Sequence, residues 1–217
     1  MIDATVEVRG ETLTLMPERA AFWKRESMLL VADPHWGKAA TFRASGIPVP
    51  AGTTREAITR LDSAIQRVNA KRVAFLGDLL HAPEGRSQTM FSALAEWRNS
   101  RIDIETILVR GNHDRRAGDP PEELRIQCRN APFAIPPFVL AHYPGIEETG
   151  YVIAGHIHPG VWIPYAGKVP CFVFEEKTAI LPAFGDFTGM ALVDRDEPKR
   201  IFAIADNEVC RLDQGGK

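Results

Sequence analysis

Cysteine is scarce in this sequence: Cys128, Cys171 and Cys210 are the only three, far apart and in no CxxC spacing. So small and scattered a set makes neither a disulfide framework nor a thiolate zinc site, and it suits a reducing compartment, with the thiols in or near the core. No run approaches the roughly 20 apolar residues of a membrane-spanning helix. The N-terminal MIDATVEVRGE lacks the basic and apolar segments of a secretion signal. These absences lead us to expect a soluble, cytoplasmic protein with no membrane partner. An excess of one charge is missing too, since 26 Lys and Arg face 28 Asp and Glu. No global field recruits nucleic acid, so any such binding needs a local basic patch. Repeats, low-complexity tracts and linker-like stretches are absent. At 217 residues and 45% hydrophobic content, one domain spanning residues 1–217 with a full core is expected.

Hydrophobic periodicity supplies the elements. Residues 6–8 and 12–15 read as strands around Arg9-Gly10. The run MLLVA at 28–32 is apolar throughout, as in a strand buried on both faces. Residues 53–69 read as a helix, with Thr53 and Glu56 in a capping-box pattern and Ala57, Ile58, Leu61, Ala64, Ile65 and Val68 on one face. A second helix runs over 87–97 with Ser87 as N-cap. Further buried strands are expected at 72–76, 106–109, 138–141 and 151–154. Beyond residue 160 strands dominate, at 171–174, 190–193, 201–205 and 208–212, the last pair joined by Asp206-Asn207. Strands in this region also offer an edge that could pair with another subunit.

Five of the apolar strands stop at a polar cluster: Asp33-Pro34-His35, Gly77-Asp78, Gly111-Asn112-His113-Asp114, His142, and Gly155-His156-Ile157-His158. Of six histidines in the chain, five lie in these clusters. In open α/β sheets ligands bind beyond the C-terminal strand ends, so five such ends imply one shared site. Asp33 with His35, and His156 with His158, are spaced i, i+2, which can turn both side chains toward one ion. No basic residue flanks Asp78 within Leu76-Gly77-Asp78-Leu79-Leu80. A buried carboxylate there needs a cation, and a metal would supply it. The donors are carboxylate, amide and imidazole without thiolate, which suits manganese, iron or zinc. Asp33, His35, Asp78, Asn112, His142, His156 and His158 are more ligands than one ion needs. They would serve two, with one carboxylate bridging.

In order, these clusters resemble the signature of the metallophosphoesterase (calcineurin-like) superfamily: DxH, GD, GNH[DE], a lone His and GHxH, across residues 33–158. The resemblance implies an α/β fold, a four-layer αββα sandwich with a dinuclear centre at the strand C-terminal ends. It implies one metal on Asp33, His35 and His158, another on Asn112, His142 and His156, and Asp78 between them. It makes His113 the residue that meets the phosphate and protonates the leaving oxygen, with Asp114 orienting its ring. Asp33-Pro34-His35-Trp36-Gly37-Lys38, Phe42-Arg43, Gly46-Ile47-Pro48-Val49-Pro50, Gly77-Asp78-Leu79-Leu80-His81 and Phe184-Gly185-Asp186-Phe187 extend the similarity over nearly the whole chain. They look like the bacterial ligase-associated DNA-damage-response endonucleases of the PdeM subgroup. That implies a manganese-dependent phosphodiesterase acting as an endonuclease on DNA, single-stranded by preference. It further implies a role in DNA repair beside an ATP-dependent DNA ligase, a helicase and an exonuclease. The competing enzyme reading is a phosphatase or pyrophosphatase on a small nucleotide or another phosphate ester. A binding module that has lost catalysis would show substituted ligands, and here every ligand and His113 are present.

Several neighbours remain to be placed. His81 either touches the substrate or is a polar loop residue. Lys38, Arg43, Arg110, Arg115 and Arg116 could form a positive rim for a phosphate backbone. Trp36 either stacks on a base or packs its loop. Phe42, Phe184 and Phe187 are read as core, and Tyr143, Pro144 and Pro159 as shapers of loops. Gly111 and Gly155 are read as permitting tight turns.

Overall fold

The computed structural model describes residues 1–50, 52–145, 150–195 and 199–212. Two sheets face each other. The seven-stranded first sheet contains, in spatial order, β1 (Ala4–Val8), β2 (Glu11–Met16), β3 (Ala20–Trp23), β4 (Met28–Val31), β5 (Arg72–Phe75), β6 (Glu105–Val109) and β7 (Gln127–Arg129). Its first four strands are antiparallel, and β4 to β7 run parallel. The second sheet has nine strands: β8 (Phe133–Ile135), β9 (Phe138–Leu140), β10 (Tyr151–Ala154), β11 (Pro159–Ile163), β12 (Gly167–Phe174), β13 (Thr178–Ile180), β14 (Ala191–Leu192), β15 (Arg200–Ala205) and β16 (Glu208–Leu212). Within it β9, β10 and β13 are parallel. The helices are α1 (Lys38–Ala44), α2 (Thr53–Val68), α3 (Gln88–Ser100) and α4 (Asn112–Ala117). Among the described residues none is long and apolar enough to cross a membrane.

The continuous apolar runs have a simple cause. Side chains alternate across a strand, and in β4 to β6 both faces are covered. Met28, Leu30, Ala74, Ile107 and Val109 point into the core between the sheets, where Phe138, Ile153, Phe172 and Phe202 meet them. Leu29, Val31, Val73, Phe75 and Leu108 point the other way, against Leu61 and Ile65 of α2 and Leu94 and Trp97 of α3. The resemblance implied a four-layer αββα sandwich; the α/β class and the two facing sheets are found, and among the described residues the helices α2 and α3 pack against the first sheet. Beyond residue 125 the described residues form strands, turns and loops without an α-helix.

Most expected elements form within a residue or two of their expected bounds. Ser87 caps α3, its hydroxyl accepting from Met90 N–H at 3.3 Å. The β15–β16 hairpin turns through Asp206 and Asn207, both with positive φ, as a tight hairpin turn requires. Three details differ. The Thr53 cap does not form, because Gly52 takes the capping position at φ 96° and its carbonyl receives Glu56 N–H, leaving Thr53 already inside the helix. The strand over 190–193 shrinks to an exposed pair at a sheet edge. Cys171 is buried and Cys128 half-buried, but Cys210 is exposed on the outermost strand.

Trp23 of the first sheet and Phe138 of the second meet edge-to-face, with centroids 4.7 Å apart and both rings fully buried. Phe138 begins the strand that delivers His142. Phe138→Ala is expected to lower unfolding free energy by about 3–5 kcal/mol. The urea midpoint checks this, and a loss below about 1 kcal/mol would mean that the sheets are held together elsewhere.

Candidate metal centre

The parallel strands β4, β5 and β6 and, across the seam, β9 and β10 end at one edge of the sandwich. Asp33 follows β4, Asp78 follows β5, Asn112 follows β6, His142 follows β9 and His156 follows β10. Backbone bonds tie the sheets together here: Phe184 N–H donates to Ala32 C=O at 2.7 Å and Gly185 N–H to Asp33 C=O at 3.0 Å. His35 N–H reaches Asp78 C=O at 2.9 Å, pinning the first two loops together.

All seven candidate ligands converge. Asp33, His35 and His158 offer donor atoms within 4.8 Å of one another, and Asp78, His142 and His156 do the same. Asn112 joins the second group, its Oδ1 3.0 Å from His142 Nε2. Asp78 Oδ2 lies 3.4 Å from His142 Nε2 and 3.9 Å from His35 Nε2, so this carboxylate faces both groups. Five of the seven, Asp33, His35, Asp78, His156 and His158, have left-handed backbones with φ between 48° and 69°. That conformation costs a non-glycine residue on the order of 1 kcal/mol or more, and strain of this kind collects at functional sites.

Close approach demands glycine at three neighbours of the donors. A Cβ on Gly77 would lie 2.2 Å from His142 Nδ1, and one on Gly111 would lie 2.2 Å from Asp78 Oδ1. Gly111 has φ −95° and Gly155 is not left-handed either; a tight turn does start at Gly155, whose carbonyl accepts from Ile157 N–H at 2.8 Å, but what both glycines supply is room for a carboxylate, a Cβ on Gly155 lying 2.4 Å from Asp33 Oδ2.

The electrostatics fit a cation. Asp33 and Asp78 are buried, and among the described residues neither pairs with Arg or Lys. Asp33 Oδ1 has no hydrogen-bond partner there. Burial first, then the neighbouring Asp33 charge, pushes the Asp78 carboxyl upward. Burial first, then nearby Lys38 and other imidazoles, pushes His35 far down. Burial also lowers His142 and His156. Neutral imidazoles with free lone pairs and carboxylates short of positive charge are what a divalent metal needs.

The catalytic candidates divide. His113 sits at the start of α4 with Nε2 3.9 Å from Asp78 Oδ2, and its Nδ1 meets the carbonyl of His81 at 2.6 Å. The expected pairing of Asp114 with the His113 ring is replaced by another arrangement. Asp114 is buried, and its carboxylate accepts from Gly111 N–H at 2.9 Å and Leu80 N–H at 3.1 Å, locking two loops of the site. Adjacent helical side chains point about 100° apart, so these two diverge.

His81 belongs to the cluster. Its ring stacks on His113, with centroids 4.8 Å apart and planes inclined by 19°, and its Nδ1 lies 3.4 Å from His35 Nδ1. Burial first, then Lys38 and His113, lowers its pKa to about 4. Lys38 is half-buried at the edge of the centre. Arg115 and Arg116 are exposed on α4. Arg43 bonds the carbonyls of Val49 and Pro50, and Arg110 is held by Asp119 at 2.6 and 2.7 Å, so each guanidinium already has partners close by in the chain. Trp36 is buried against Phe75 and Trp97, which settles its packing role. Phe184 is core as expected, Phe42 is half-buried, and Phe187 is exposed.

This fold and this set of donors define a metallophosphoesterase, a hydrolase of phosphoester bonds. The solved structure of the Pseudomonas putida nuclease MPE matches at 36% identity and a TM-score of 0.88, covering 97% of this chain and 100% of that one. The chain belongs to the same metallophosphoesterase family. YfcE, a phosphoesterase from E. coli, aligns over 87% of this chain and 99% of its own at 14% identity and a TM-score of 0.44, too distant to support an argument. No protein-family model and no curated protein matches the sequence.

Gly111→Ala tests the geometry without removing any donor. Its methyl group must displace Asp78, so manganese affinity measured by titration calorimetry is expected to fall at least about tenfold, a loss of about 1.4 kcal/mol. Wild-type affinity would show that Asp78 is not a ligand.

Proposed function

We propose that the chain is a manganese-dependent phosphodiesterase that cuts DNA internally through a two-cation site. The observation that carries the two-cation reading is the position of Asp78 Oδ2 between the donor groups, 3.4 Å from His142 Nε2 and 3.9 Å from His35 Nε2. Asp33, His35 and His158 would hold one cation, Asn112, His142 and His156 the other, and Asp78 would serve both. Manganese suits these donors, as iron and zinc also do. When bound, such cations make water acidic enough to attack near neutral pH and offset charge on the phosphoryl oxygens.

The chain's own residues supply the remaining chemistry. His113 Nδ1 donates to the His81 carbonyl, which fixes the tautomer and leaves Nε2 on the side of Asp78. From there Nε2 of the imidazolium form, which carries a proton on each ring nitrogen, meets the leaving oxygen and gives up its proton, leaving the neutral Nδ1–H tautomer. His81 stacks against that ring and keeps its plane. Asp114 acts through the backbone, holding the Gly111 and Leu80 amides and so the loops that carry Asn112 and Asp78. Lys38 at the mouth and Arg115 on α4 would take neighbouring phosphates of the strand. The nuclease relative, similar over 97% of this chain, supports a nucleic acid as the substrate, and the choice of DNA rests on the resemblance to ligase-associated endonucleases. A place in DNA repair rests on the resemblance to ligase-associated endonucleases.

Three manganese-supplemented measurements test this. Asp78→Ala is expected to lose metal and activity together. His113→Ala is expected to keep its metal while turnover falls about 10²–10⁴-fold. Wild-type protein should linearise circular single-stranded DNA and hydrolyse bis(p-nitrophenyl) phosphate faster than the monoester. Dominant monoester hydrolysis would instead make the protein a phosphatase, and metal loss in His113→Ala would overturn the role given to that residue.

A further inference from the structure

Two aromatic side chains stand exposed beside the donor groups, and the chemistry described so far uses neither ring. Phe187 is 48% exposed and has a left-handed backbone, φ 60°. For a bulky residue that is a strained state, which persists only where the surroundings impose it. Here they do. Gly185 N–H is held by Asp33 C=O at 3.0 Å, Asp186 is clamped by Arg19 at 3.1 Å and Arg60 at 3.2 Å, and the Thr188 hydroxyl donates to Gly185 C=O at 3.1 Å. Core packing gives no reason for so firm a loop to present a phenyl ring to water. The ring borders a small recess that it shares with Pro34, His35 and Lys38. An aromatic face and a cation thus adjoin the Asp33 group.

Tyr143 flanks the other group. It is 40% exposed, its ring centroid lies 4.3 Å from that of His156 and 4.8 Å from that of His142, and its hydroxyl donates to Asn112 Oδ1 at 3.0 Å. Ring and hydroxyl are therefore both fixed, while part of the side chain stays open to solvent.

We propose that Phe187 and Tyr143 are base-stacking platforms on the two sides of the scissile phosphate, and that they select strands whose bases are unpaired. This deepens the nuclease reading and rests on it. A phosphate held at the donor groups leaves the nucleosides before and after it to lie outward over the flanks. A duplex keeps its base faces stacked on one another, whereas a single strand can offer them to aromatic side chains. Such stacking is tolerant of sequence, because every base has a π-face. Lys38 next to Phe187 gives that flank a partner for the adjoining phosphate as well as for the base. Trp36, the aromatic residue nearest in sequence to His35, is too deeply buried to take this part.

The test compares kcat/KM on a single-stranded oligonucleotide with kcat/KM on bis(p-nitrophenyl) phosphate, which has no base, both with manganese. In Phe187→Ala the ratio of the two is expected to fall about tenfold or more, with the loss carried by KM for the strand. Phe187→Trp restores the ratio, because the platform is retained. Tyr143→Leu lowers it in the same sense, whereas Tyr143→Phe keeps the ring and the ratio. A ratio unmoved in both Phe187→Ala and Tyr143→Leu overturns the platforms while leaving the nuclease reading intact. Wild-type protein that hydrolyses the small diester but cuts no strand overturns both.

Discussion

Two carboxylates buried at the edge of the sandwich, Asp33 and Asp78, set the terms for everything around them. An ionised carboxylate removed from water costs several kcal/mol even after its surroundings relax. The chain gives each one a backbone donor: His156 N–H to Asp33 at 2.8 Å and His113 N–H to Asp78 at 2.9 Å. Hydrogen bonds to a charged group contribute about 1.5–3 kcal/mol each, too little to offset the burial of two negative charges side by side. The flanking imidazoles do not close the gap by taking up protons, since burial disfavours the charged form of His35, His142 and His156. Positive charge is therefore owed to this pocket from outside the chain, and the unpartnered Asp33 Oδ1 marks where some of it is missing.

The same demand explains the local backbone. Donor atoms from five loops can crowd together only if the loops turn sharply and pack against one another. The left-handed conformations at Asp33, His35, Asp78, His156 and His158 are those turns. Asp and His tolerate such geometry better than most residues, so the ligand chemistry and the turn chemistry call for the same side chains. Glycines then clear the remaining space where a methyl group would strike His142 or a carboxylate.

Much of this was legible in the sequence because it follows from strong local signals. Apolar runs ending in Asp, Asn or His announced both the strands and the edge at which they meet, where six of the donors gather in two groups and Asn112 meets His142. What could not be read depends on direction in three dimensions. Asp114 adjoins His113 in sequence and so was taken as its partner, but the first turn of a helix sends the two side chains apart and Asp114 to the backbone of the neighbouring loops. The capping box at Thr53 failed because Gly52, free to take positive φ, began the turn a residue sooner. The strand β3, with only four residues and two of them alanine, offered too little pattern to register. Phe187 looked like core by residue type alone, and only the clamped loop around it turns the ring outward.

The arrangement also couples the centre to the stability of the sandwich. Asp33, His35, Asp78 and Asn112 come from the first sheet, and His142, His156 and His158 from the second. Each proposed cation would therefore be held from both sheets at once. A ligand bound only by the assembled site stabilises the folded form by RT ln(1 + [L]/Kd), and here that free energy falls on the seam between the sheets. At this edge the seam is already tied by the backbone bonds from Phe184 and Gly185 to Ala32 and Asp33, by His156 N–H to Asp33 and by the Arg19 and Arg60 clamps on Asp186. The bonds from Phe184 and Gly185 also anchor the loop that holds Phe187 outward. The segment that joins the sheets, the donors that would share the cations and the ring proposed to receive a base thus form one mechanical unit, in which closing the seam and completing the site are the same event.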